Sequence, residues 1–465
     1  MNYSKVSVML AVVTLLVTGC SGGTGGTGGN PLPPIGNGDL SVGAVTKLGS
    51  VFVNGVEFDT TGATITRDGI TVAESQVLGM PVEVRGDING DMGTADTVVA
   101  KTAVKGTVNS IISTTSLVVM GQTVRLEDGA YIETLANGSS GTLADLSVGS
   151  LVEVAGMPKP GGVIVATRLE EKTSLVEYKV KGYIEGTISA TTFTIGALTI
   201  DYSSADMTDL PGGPVLNLLV EVKASAAPAP VMMATKVEPE GPSISDAQEA
   251  EVEGYVKGLT GSSPDYVFFI NGQEVHTDSA TIFEGATATY FAENVKVEAE
   301  GTLVADVLNA YKVKLKDSVR MEGDIENLSG NSFNLVGMPG VTITVNAATE
   351  INSSTDVFSD FANGSHVRLR GFPSSGTSVL VTRIDERNTG DPDAYLRGPV
   401  DSVAGTVVTV LGIAIDVNGF SFKDHDDVSM NQAAFLAALS TGVPVKIQGL
   451  ISGSSITWDS AELED

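Results

Sequence analysis

Few residues in this chain have both the type and the spacing to do chemistry. Asp87, Asn89 and Asp91, in Gly86-Asp87-Ile88-Asn89-Gly90-Asp91, place side-chain oxygens at alternate positions. That is the spacing of the first half of a calcium loop, whose positions 1, 3 and 5 supply hard oxygen ligands. The pattern then breaks. Met92 stands where such a loop turns on glycine, and Val98 falls where a bidentate carboxylate closes the site, with Asp96 the nearest substitute. Asp, Asn and Gly also suit tight turns, through side-chain to backbone hydrogen bonds and tolerance of positive φ. Plain turn sequences occupy the matching places Met157-Pro158-Lys159-Pro160-Gly161 and Pro373-Ser374-Ser375-Gly376. A turn is therefore the favoured reading. Asp87, Asn89, Asp91 and Asp96 are retained as weak ligands for Ca2+, and no other cofactor is expected.

The three histidines, His276, His366 and His425, form no His-x-x-x-His or His-Glu pairing, and no G-x-S-x-G elbow occurs. His366 reads as an exposed strand-edge residue. His425, beside Asp424, Asp426 and Asp427, reads as part of a solvated polar loop more than a cation site. No catalytic residue is assigned, and an enzyme is not expected; an envelope hydrolase is the weakest of the readings considered.

The remaining reactive group is the thiol of Cys20, the single cysteine. Lys5 precedes an apolar run from Val6 to Val17, about 12 residues, where a bilayer span needs roughly 20. The run fits the core of an export signal. Its end, Leu15-Leu16-Val17-Thr18-Gly19-Cys20, resembles a bacterial lipobox. The resemblance implies cleavage before Cys20 and diacylglycerol on its sulfur. Several acyl chains, at about 0.8 kcal/mol per buried CH₂, hold a protein stably where one does not. Residues 21–30 are Gly/Ser/Thr-rich and end in Pro31-Leu32-Pro33-Pro34, a flexible spacer with a stiffened end. Ser21 is not Asp, which by the sorting rule of Gram-negative lipoproteins implies the outer membrane, on a face the chain does not specify.

Around these residues the composition is acidic. Lys+Arg number 27 and Asp+Glu 56, for a net charge of -29 over 465 residues. Loss of residues 1–19 removes Lys5 alone, so the processed chain carries 26 - 56 = -30. Such a balance argues against nucleic acid, which demands clustered cations. One cysteine excludes an intrachain disulfide framework.

The elements that must position everything else recur. A glycine opens a strand-like piece at Gly43, Gly106, Gly182, Gly254, Gly323 and Gly398. A second signature follows at 79–86 (GMPVEVRG), 149–156, 218–224, 293–301, 364–371 and 442–449. A third closes each unit, as in 98–104 and 164–170, and is degenerate in the last. The third unit departs by having Ala224 where the others have glycine. Period-two alternation of Val and Ile with Glu, Lys and Thr predicts strands with one wet face. About 70 residues with five strands and one short helix suit a small closed or half-closed barrel. The boundaries are 1–19 signal, 20–40 tether, then modules 41–104, 105–177, 178–242, 243–317, 318–390 and 391–465. The acidic stretch from Glu238 to Glu253 reads as a charged linker with a helical turn at 243–249.

The opening G-x-[IV], the V-E-V-x-G strand and the closing A-T-x-[VI] together resemble domain-of-unknown-function family 5666. The resemblance covers about residues 43–465 and implies a strand order similar to an OB-fold, in secreted proteins and lipoproteins, with no known catalytic residues. The fold expected is thus mainly β: a tandem array of about six small five-stranded OB-like β-barrels. Few aromatics and too few cations set aside the single-stranded nucleic-acid binding of many OB-folds. The expected function is a non-catalytic envelope lipoprotein, held to the membrane through Cys20, that binds or scaffolds an envelope protein or polysaccharide. A calcium-dependent adhesin is the alternative.

Overall fold

The computed structural model describes residues 38–46, 50–242, 246–284, 291–315, 318–346, 349–355, 357–375, 377–388, 390–425 and 427–464. The signal, Cys20 and the spacer up to residue 37 lie outside the described residues.

Each repeat is built from short strands rich in β-branched residues, buried at every second position. In the second repeat the strands are Val104–Ile111, Ser116–Val119, Gln122–Glu133, Leu151–Lys159 and Val163–Lys172. The first pairs with the second, the second with the third, and the third with the fifth in parallel. The fifth pairs with the fourth and the fourth returns to the first, so the pairing closes a ring. The fifth repeat closes the same ring through Val319–Ser329, Ser332–Leu335, Thr342–Thr344, Ser378–Glu386 and His366–Ser375. In the sixth the third strand, Ile413–Asp416, pairs only with the second, Val407–Val410, and the ring stays open there.

The expectation of six separate barrels is corrected. The repeats share sheets in pairs, one with four, two with three and five with six, in this respect closer to a solenoid than to beads on a string. The cause is the length of each first strand. In Val104–Ile111 the second strand covers only the later half, from Val108 to Ile111. The exposed edge of the earlier half would invite aggregation. It is covered instead by the first strand of the third repeat, Tyr178–Tyr183, through Val104↔Val180 and Lys105↔Lys179. The first strands of repeats five and six join in the same way, Arg320↔Arg397 to Glu322↔Tyr395. Repeats one and four join in parallel, Leu40↔Ala250 to Val42↔Val252. The cores follow the pairing: repeats two and three share one hydrophobic cluster and repeats five and six another.

Three further expectations change. One α-helix forms among the described residues, Gln432–Ala438, capped by Asn431 Oδ1 accepting from the Ala434 amide at 2.9 Å. In repeats one, two and five the predicted helix is a single 3-10 turn, at Glu74–Gln76, Leu143–Asp145 and Phe358–Asp360, because three or four residues cannot repay helix nucleation. The acidic stretch is not a linker: Lys236–Pro239 and Ala247–Tyr255 are strands. Asp39 and Leu40, assigned to the tether, open the first strand, Asp39–Ala44.

The repeated glycine of the fourth strand has a steric cause. At Gly86, Gly156, Gly301, Gly371 and Gly449 the register slips by one residue against the fifth strand. A Cβ there would lie 1.8–2.3 Å from a carbonyl oxygen of that strand, for instance 2.3 Å from Val165 O at Gly156. Such a bulge bends the strand so that the ring can close. At Ala224 the fourth strand, Leu219–Ala224, ends without a bulge, and the fifth strand comes in two pieces, Met232–Met233 and Lys236–Pro239. The odd residue of the alignment and the one broken fifth strand coincide. Gly156→Ala is expected to cost about 1–3 kcal/mol in urea unfolding, the range for forced overpacking, while Ala224→Gly changes stability far less.

Candidate functional site

The structure does not bring the calcium candidates together. Asp87 and Asn89 lie on the strand Pro81–Asn89, Asp91 in the turn, and Asp96 on Met92–Ala100. Asn89 pairs with Met92 and Asp87 with Thr94, so the segment is a tight hairpin instead of a wrapped twelve-residue loop. All four side chains are exposed. Among the described residues no group of three or more His, Cys, Asp or Glu is placed to hold a metal ion.

The histidines are dispersed. His276 Nε2 is 2.7 Å from Glu274 Oε1 on the same short strand. Asp424 Oδ1 accepts from the Val428 amide, which makes the His425 segment a turn; Asp426 lies outside the described residues. His366 is a correction: it is fully buried, with Nδ1 2.8 Å from Asp324 Oδ1 and Nε2 3.5 Å from Glu322 Oε1. Burial pulls its pKa down, but the hydrogen bonds and charges of Glu322 and Asp324 outweigh burial and raise it.

What the structure does assemble is a set of buried charges between repeats. Asp68 follows Arg67 at the end of the strand Thr64–Arg67 in repeat one, in a turn at φ 48°. Its carboxylate accepts from Lys179 Nζ of repeat three at 2.6 Å and lies 3.1 Å from Lys105 Nζ of repeat two. It also accepts from the Thr102 amide and hydroxyl. Lys179, 1% exposed, reaches Glu221 at 3.1 Å. Arg67 forks across Glu153 and Glu170 of repeat two at 2.8 and 2.7 Å. Glu170 also holds Arg168, which donates to Leu78 O of repeat one at 2.9 Å and stacks 4.2 Å from the Tyr131 ring. Beside them Glu240 takes Lys101 of repeat one and Lys181 of repeat three, each at 2.7 Å.

Burial alone would push these carboxyls up. For Asp68 the charges of Lys179 and Lys105 and the Thr102 amide outweigh it and hold the group well below the carboxylate range. Glu221 is held at about 2 against burial by Lys179, Lys181 and Lys223, and Glu170 at about 2 by Arg67 and Lys172. The chemical consequence is specific. A lysine amine against a buried carboxyl, with a second carboxyl nearby, is the layout of an amide cross-link. Amide formation needs a protonated acid, and the neighbours of Asp68 hold its carboxyl ionised. The cluster is a lock of ion pairs that joins repeats one, two and three.

A second junction involves repeats two, four, five and six. Glu127 lies 3.0 Å from Arg320, 3.6 Å from Arg370 and 3.6 Å from Lys296. Lys159 sits 4.8 Å from the Tyr255 ring centre, and burial with Arg125 and Arg397 nearby pushes its ammonium down to about 7. In repeat four, Glu251 faces Glu300 and Glu253 faces Glu298 across the sheet. Such like-charge pairs are unfavourable, and Lys296, Lys312 and Lys314 interleave at 2.8–2.9 Å to neutralise them. Sequence reading missed both junctions, because it took the charged alternate positions for a wet face. A signal was present: lysines and arginines sit inside the strands more than in the turns.

Six segments of the chain match the family described as "Domain of unknown function (DUF5666)", at residues 41–99, 105–170, 181–238, 253–314, 322–385 and 397–457. No curated protein matches the chain.

Two outcomes follow from these geometries. Asp68→Ala leaves two buried ammoniums facing each other and is expected to cost about 3–5 kcal/mol, part of it recovered by adding Lys179→Met, as read by urea unfolding. His366 has a raised folded pKa, so its contribution is fully present below its unfolded value of about 6.5. That contribution is lost as pH rises through the raised value. Melting curves across that window are expected to fall more steeply for the parent chain than for His366→Gln.

Proposed function

The chain belongs to the DUF5666 family, and we propose that it is a non-catalytic scaffold or binding lipoprotein of the bacterial envelope, anchored through Cys20. The single observation carrying this reading is that the six repeats share sheets in pairs and are joined across those pairs by buried ion pairs. Nearly every described lysine and arginine is committed to an ion pair within that body. The surplus carboxylates are left to the exterior, which keeps the body soluble and repels nucleic acid and anionic surfaces.

The ring order one-two-three-five-four of repeats two and five supports reading the repeat unit as an OB-like five-stranded barrel. The partner proposed is an envelope protein or polysaccharide that meets the assembled body, since the repeats are not independent beads. The lipobox resemblance at Val17-Thr18-Gly19-Cys20 supports the anchor, and Ser21 supports the outer membrane. The test is metabolic labelling of producing cells with a palmitate analogue, followed by fractionation. The full chain is expected to take the label and sediment with outer membrane. Cys20→Ser is expected to lose the label and leave the membrane fraction, and an unlabelled parent chain would overturn the reading.

A further inference from the structure

The strand Asp39–Ala44 is the first element among the described residues, and it is held on both sides. It pairs antiparallel with Pro81–Asn89 of its own repeat over six residues, Asp39↔Gly86 to Ala44↔Pro81. On its other edge it pairs in parallel with Ala247–Tyr255 of repeat four. Leu40 and Val42, 0% and 5% exposed, pack into the core of repeat four. The Asp39 carboxylate spans the two repeats, accepting from the Ile88 amide at 2.9 Å and the Glu249 amide at 3.1 Å. Ser41 Oγ donates to Glu251 Oε2 at 3.3 Å, across 210 residues of chain. Asn54 Nδ2 donates to Val42 O at 3.0 Å and so ties the strand to the next hairpin.

This topology sets the order in which the chain yields to tension. Among the described residues, a pull entering ahead of residue 38 reaches this strand first. From there it passes directly into repeat four through the strand pair, while the chain from residue 43 to 251 lies on a bypassed loop. Hydrogen bonds lie across the strand direction on both edges, perpendicular in the antiparallel pair and slanted in the parallel one, so a strand bonded on both edges cannot be peeled sideways within its sheet. We infer that Asp39–Ala44 is a force-bearing latch, which passes tension from the anchored end into repeat four and shields repeats one to three. The inference rests on the anchored reading for its purpose, but its test uses no lipid. A failed latch leaves the Cys20 labelling result untouched, and an unlabelled Cys20 leaves the force measurement intact.

The experiment is single-molecule force spectroscopy on the full chain made without export, held by maleimide at its single cysteine, Cys20, and by a C-terminal tag. The bypassed loop, fully extended, is on the order of 70 nm at 3.3–3.6 Å per residue. That length is expected to be released only after one high-force rupture. Leu40→Ala, with its fold verified by circular dichroism, is expected to shift this rupture to lower force with the total length unchanged. Val42→Pro, which also removes a backbone donor, is expected to abolish the high-force peak. The proposal is overturned by release of the bypassed length from the lowest forces in the parent chain, or by an identical rupture force in folded Leu40→Ala.

Discussion

Charge taken out of water has to be met by opposite charge, and the two charged junctions between these repeats are arranged around that requirement. When the first strands of two repeats pair edge to edge, the outward faces of their sheets become continuous and neighbouring repeats close over them. The side chains on those faces are lysine, arginine and glutamate, because each strand alternates apolar and charged residues. Pairing strands without pairing charges would bury several ions unpaired, at several kcal/mol each. The observed registers avoid this. Asp68 faces two lysines from two other repeats, Glu240 bridges two more, and Glu127 gathers three cations from repeats four and five.

This arrangement gives position as well as cohesion. Hydrophobic contacts tolerate small slips, whereas Arg67 forked on Glu153 and Glu170 does not, since a shift of one residue moves every charge to the opposite face of its strand. The ion pairs therefore specify which repeat meets which, while valine and isoleucine supply most of the driving force. The strain of ring closure is handled separately, by glycines in the fourth strand that allow a bulge. Where glycine is replaced by Ala224, the partner strand is interrupted instead.

Much of the fold could be read from the residues. Period-two patterning located the strands, and the recurring glycines marked the unit length, though not the bulges. The Asp/Asn/Gly run at residues 86–91 was legible as a turn. Less legible were the features that depend on distant partners. Glu251 and Glu253 looked like a solvated linker because nothing nearby in the chain shows that residues 39–44 will lie alongside them. His366 looked exposed because its acidic partners, Asp324 and Glu322, come from a strand some forty residues earlier. Helical turns were over-read, since one turn of apolar residues looks alike whether it becomes an α-helix or a 3-10 corner.

The sequence by itself determined the local facts: strand period, turn chemistry, six copies of one unit, an acidic balance and a single thiol after an apolar run. These depend on neighbours within a few residues, and adjacent side chains and backbone preferences suffice to decide them. Only the tertiary structure decided which repeats pair, that the charged faces turn inward, and that repeat one reaches past two others to repeat four. Those outcomes depend on strand edges and charges more than a hundred residues apart, and their energies exist only once the partners are side by side.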